Sequence, residues 1–213
     1  MKRILMAVAM VGLLATGAVR AQVTDSPDSL IWCGLDYSRA KLIGTTDFMR
    51  PAEIFPGMLV AWNGLFMKEM LPELEKMTSS VGTDMAAVGA ANDKASSKQI
   101  EREDGTREEK VNLSHLKEKD IASIVKSYKL KHEKGIGLVF VVDRLVKLQE
   151  TGCIYVVFFD VSSRKVLKCE RVSEKAFGFG FRNYWFRPVK EAVKKVPAMY
   201  SAVKAEAPTT ASQ

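Results

Sequence analysis

Between Leu138 and Val172 the sequence leaves room for little besides paired strands. Leu138 to Val142 is an unbroken apolar run that continues past Asp143 with the alternation Leu145, Lys147, Gln149. Ile154 to Phe159 is a second such run, and Lys165 to Val172 is a third strand segment, mixed apolar and charged. Segments of this length, rich in β-branched and aromatic side chains and bounded by polar residues, are strands. Asp160, Val161, Ser162, Ser163 and Arg164 form a tight polar turn between the last two, so these pair antiparallel as a hairpin. The middle strand is the most apolar and belongs at the centre of the sheet. Leu30 to Leu35, ending at Asp36, is another almost continuous apolar run, which suits a strand buried on both faces.

Helical spacing organises most of the remainder. From Met58 to Met77 the residues Leu59, Trp62, Leu65, Phe66, Met70, Leu74 and Met77 recur at three- and four-residue steps, which predicts an amphipathic helix packed on the sheet. Pro72 should kink or end it. A second helix, capped by Asn112 or Ser114, carries Leu116, Ile121, Ile124, Val125 and Tyr128 to about Leu130. Lys126, Lys129, Lys131 and Lys134 then suit the negative pole of its dipole, and Gly135 and Gly137 turn the chain into the next strand. A third helix, capped by Asn183, runs through Val196 and stops at Pro197. Residues 37–57 read as a loop-rich connection with a short extra element, and 78–112 as a charged flexible excursion too poor in apolar area to pack. The expectation is one α/β (α+β) domain over 30–197: a mixed sheet of about four or five strands with a C-terminal antiparallel hairpin, packed by three helices. A leader at 22–29 precedes it and a disordered tail at 198–213 follows.

Residues 1–21 have the form of a signal peptide: Lys2 and Arg3, then an apolar stretch from Ile4 to Leu14 that is too short to span a bilayer, then Val19, Arg20 and Ala21. Cleavage is expected after Ala21, giving a periplasmic or secreted protein with no later transmembrane segment. The chain of 213 residues has 32 Lys plus Arg against 25 Asp plus Glu. The signal peptide holds three bases, Lys2, Arg3 and Arg20, and no acid, so the mature balance is 29 against 25, a modest excess that argues against a nucleic-acid partner. Export permits disulfides, and Cys33, Cys153 and Cys169 read either as buried thiols or, for the last two, as a bridge whose feasibility depends on hairpin register.

Familiar catalytic patterns are missing. There is no nucleophile elbow, zinc-binding helix, phosphate loop or calcium loop. The two histidines, His115 and His132, lie in polar helical or helix-end sequence, so neither a catalytic residue nor a metal site is assigned, and no cofactor is expected. Asp36, Asp143 and Asp160 lie near strand ends, where paired carboxylates could hydrolyse a glycan. The most unusual segment is Ala176 to Trp185, with aromatics, glycines, an arginine and an asparagine interleaved. Phe177, Phe179, Phe181, Arg182, Asn183, Tyr184, Trp185 and Arg187 are the candidate binding residues. They form either a flat recognition surface or a core edge bent by glycines.

The order of elements, with an apolar strand running into Asp, a turn and an outgoing strand from Tyr155 to Lys168, resembles in outline the CsgG-like, TolB amino-terminal and penicillin-binding-protein activator α/β domains. The segment Gly178 to Trp185 also resembles a family of uncharacterised secreted bacterial proteins. The reading is an exported, non-enzymatic envelope accessory protein that binds a protein or envelope component through the aromatic segment. The alternative is a carboxylate-dependent glycan hydrolase, and a third reading is cationic binding of anionic lipid or polysaccharide through Lys126 to Lys134.

Overall fold

The computed structural model describes residues 29–44, 47–78, 80–101 and 114–206. The expected signal peptide, nearly all of the expected leader, the charged stretch 102–113 and residues 207–213 of the expected tail lie outside these.

A mixed sheet of seven strand segments forms the frame. β1 (Leu30–Asp36) and β2 (Lys41–Ile43) lie end to end along one edge of β5 (Ile136–Val146), both parallel to it. β3 (Val81–Thr83) extends the sheet beside β1, and β4 (Ile100–Glu101) beside β2, again in parallel. On its other edge β5 pairs antiparallel with β6 (Thr151–Asp160), which pairs antiparallel with β7 (Val166–Lys175). Parallel pairings therefore outnumber antiparallel ones, and the strands exceed the expected four or five. The antiparallel part is a three-strand meander, and two helices follow it, so no hairpin closes the chain. The additional strands β2, β3 and β4 have three residues or fewer, which is too short for a period of two to be read.

Both faces of the sheet are covered, as the apolar runs require. Leu30, Trp32, Leu138, Phe140, Ile154, Val156 and Phe158 face α2 (Leu59–Glu69), α6 (Phe181–Val193) and α7 (Val196–Glu206). Ile31, Cys33, Val139, Val141, Val157 and Phe159 face α4 (Ala86–Asn92) and α5 (Glu118–Lys126). Trp32 is fully buried and stacks on Phe66 at 3.8 Å between ring centroids. Gly137 is what lets Phe159 lie across β5, since a Cβ there would stand 2.2 Å from the ring.

Four expectations change. The 78–112 excursion contains β3, α4 and β4, and the Asn92 side chain bonds the Tyr37 N–H at 2.7 Å and the Leu35 carbonyl at 2.9 Å. The long first helix is interrupted, after a short turn α1 (Pro51–Glu53), as α2 and α3 (Leu71–Glu75), with Pro72 in the first turn of α3. α5 begins at Glu118, with the Asp120 carboxylate accepting the Lys117 N–H at 2.9 Å, while Ser114 instead engages Tyr155 at 2.5 Å. Finally, 198–206 is not tail: α7 starts at Val196 and buries Met199, Tyr200 and Val203.

Candidate binding surface at the aromatic end of the sheet

One rung of the sheet defines the site. Ile43 of β2 is opposite Val146 of β5, Val146 is opposite Thr151 of β6, and Thr151 is opposite Lys175 of β7. The connections 44–50, 147–150 and 176–180 therefore leave the sheet at one end, and α6 begins there.

The aromatic segment divides at this end. Trp185 and Phe186 are buried, with the Trp185 indole N–H donating to Asp47 Oδ2 at 3.2 Å. Phe181 is half-buried, edge-on to Phe48 at 5.9 Å and stacked on Trp62 at 6.0 Å. The Trp62 indole donates to the Arg182 carbonyl at 2.9 Å, which fixes the first turn of α6. Tyr184 is half-buried beneath Lys147, whose ammonium lies 4.6 Å from the ring centroid. Arg182 and Asn183 are exposed, and the Asn183 amide donates to the Phe179 carbonyl at 3.3 Å. Phe177 is 53% exposed with the Arg187 guanidinium 4.4 Å above its ring, and Phe179 is 96% exposed. Gly178 and Gly180 flank Phe179 at φ of +133° and +77°, left-handed conformations that push it outward and that side-chain-bearing residues rarely adopt. α6 consequently begins at Phe181 with Gly180 at its cap, three residues before the expected cap Asn183.

Two cavities open beside this tip. One of about 200 Å³ is lined by Asp47, Met49, Arg50, Glu53, Ile54, Met58 and Phe181. Another of about 240 Å³ is lined by Asp47, Lys147, Gly178, Gly180, Phe181 and Tyr184. Asp47 and Phe181 form the wall between them. Burial opposes the charge of Lys147, but Asp47 Oδ1 at 3.5 Å and the Tyr184 hydroxyl together outweigh it and hold the ammonium above its ordinary range. Burial, then a hydrogen bond to Glu150, raise the Tyr184 phenol. Met49 and Leu148, 73% and 62% exposed, stand on the neighbouring connections. Asp47, Met49, Lys147 and Leu148 escaped the sequence reading, because strand register alone brings them to the aromatic segment.

The acidic candidates sit elsewhere. Asp143 is fully buried; its Oδ1 accepts the His115 and Leu116 N–H groups at 3.1 and 3.0 Å, and its Oδ2 receives Arg171 Nη2 at 3.1 Å. This binds the approach to α5 onto the sheet. Asp36 is also buried, accepting the Tyr128 hydroxyl at 2.5 Å and the Ser38 N–H at 2.7 Å. Burial and then the Asp36 charge push the Tyr128 phenol well above its ordinary range. Asp160 lies in the hairpin turn, where burial opposes its charge but bonds from Ser162 and Ser163 outweigh this and hold the carboxyl low. None of the three lines either cavity beside the tip, nor the apolar groove of about 290 Å³ between α2 and α4. Lys126, Lys129, Lys131 and Lys134 are exposed near the opposite end, where Arg164 Nε donates to the Tyr128 carbonyl at 3.2 Å.

All three thiols are free. Cys153 is opposite Ser173 and Cys169 opposite Val157, so the two share a face but lie four residues apart along the ladder, about 13 Å at ~3.3 Å per residue. A bridge needs Cα atoms within ~7 Å. Among the described residues no cluster of His, Cys, Asp and Glu could hold a metal ion, and no helix is long and apolar enough to cross a membrane.

Compared with protein-family models, curated proteins and solved structures, the chain matches none of them.

Proposed function

We propose that the protein is an exported, non-catalytic envelope protein that binds its partner through the aromatic end of the sheet. The observation that carries this is Phe179, a phenylalanine held almost wholly in solvent between two left-handed glycines. Leaving such a side chain in water forgoes about 1.5–3 kcal/mol of burial, and a cluster of such groups marks an interaction surface. The core half of the same segment, Trp185 and Phe186, anchors the tip rigidly. The buried, fully engaged Asp36 and Asp143 support a structural role, and nothing in their geometry favours the hydrolase reading.

Capture from envelope extract tests this. The intact protein should retain a component that the Phe177→Ser, Phe179→Ser variant loses while keeping its circular dichroism spectrum. Equal capture by both would refute the reading. Export is tested separately by the mass of protein recovered from the periplasm or medium, which should begin at Gln22.

A further inference from the structure

Of the six large apolar side chains exposed among the described residues, four stand at one end of the sheet: Met49, Leu148, Phe177 and Phe179. They come from three separate connections, and Phe179, 96% exposed, lines neither adjacent cavity. A peptide-binding groove would seat its anchors in concavity; a protruding aromatic tip suits insertion into a fluid phase. Charges of both signs stand at this end, Glu150 and Glu174 among them, but the aromatic segment itself carries only one sign. From Lys175 to Lys190 the chain has four bases and no acid. Lys175 and Arg182 have no carboxylate partner among the described residues, whereas Asp47 and Glu53 at this end are paired with Lys147 and Arg50, and Glu150 is bonded to Tyr184. An apolar tip whose own segment carries only cations complements an apolar layer beneath anionic headgroups.

We infer that the partner of this surface is an anionic phospholipid membrane, on which the protein docks by inserting Phe177 and Phe179 while Lys175, Arg182 and Arg187 face the headgroup phosphates. This rests on the reading that the aromatic end is the binding face, and it names the chemistry of what is bound. Arg187, stacked on Phe177 and paired with Glu191 at 2.6 Å, is already held at headgroup level beside the ring.

The experiment is co-sedimentation of protein purified after expression of the full chain with vesicles of phosphatidylglycerol and phosphatidylethanolamine, against vesicles of phosphatidylcholine alone. Binding should be at least roughly ten-fold stronger on the anionic vesicles, and should weaken as the Debye length shrinks to ~3 Å near 1 M salt. The Phe177→Ser, Phe179→Ser variant should lose roughly ten-fold or more of that binding. A Lys175→Glu, Arg182→Glu variant should lose the preference for anionic lipid. Because these side chains are exposed, both variants should stay folded by circular dichroism. Failure to sediment with either vesicle, or undiminished binding by the phenylalanine variant, overturns the inference. Capture of an envelope protein that depends on Phe179, without vesicle binding, overturns the lipid and leaves the binding face standing; loss of both removes the two together.

Discussion

Phe179 and Trp185 lie six residues apart and have opposite surroundings. Trp185 packs against Phe48 at 5.4 Å and Tyr184 at 5.1 Å, and its N–H is satisfied by Asp47. Trp185→Ala should therefore cost about 3–5 kcal/mol, whereas Phe179→Ser should stay within about 0.5 kcal/mol of the parent; urea unfolding monitored by circular dichroism measures both. The thiols carry a second prediction at this scale. Burial pushes Cys33 and Cys153 above the ordinary thiol range and Cys169 up to about 11, so all three are protonated at neutral pH. Thiolate is the reactive form. Ellman titration should consequently find slow reaction in the native protein and three thiols in guanidinium, where a Cys153–Cys169 bridge would leave one. The sequence offered both fates for these aromatics and both states for the cysteines, and only register and the left-handed glycines decide between them.

At the scale of elements, legibility followed length. The strands β5, β6 and β7 have ten or eleven residues; β5 and β6 were readable from their apolar runs, and β7 from the polar turn that precedes it. β2, β3 and β4 are held by their neighbours rather than by their own pattern. α4 was hidden because its alanines and glycine bury little area. That same smallness lets it lie against β1, where Val88 Cγ1 comes within 3.1 Å of a Cβ position at Gly34. α7 was missed because Pro197 looks like a stop; in the first turn of a helix its missing N–H costs nothing and its φ is already helical. Tyr200 from α7 stacks on Phe158 at 6.0 Å. Ending the chain at Pro197 should lower stability by several kcal/mol through the exposed core face, seen as a reduced urea midpoint. An unchanged midpoint would mean α7 contributes nothing to the fold.

Over the whole molecule, the two ends of the sheet are built differently. Near the 160–164 turn, Asp160 and the hairpin serines are occupied by internal hydrogen bonds. The other end collects exposed apolar side chains from residues more than a hundred positions apart. The aromatic half of that end was visible in the sequence as an interleaving of phenylalanine and glycine. Met49 and Leu148 were not, since each is an ordinary loop residue until β2 and β5 are paired. The most direct test uses a photoreactive phenylalanine analogue placed at position 179 of the full chain in cells, with position 167 at the opposite end as control, where Leu167 is 39% exposed. Illumination should give an adduct with an envelope component from position 179 and little from 167. No adduct at 179, or equal yields from both positions, would contradict the assignment of binding to the aromatic end.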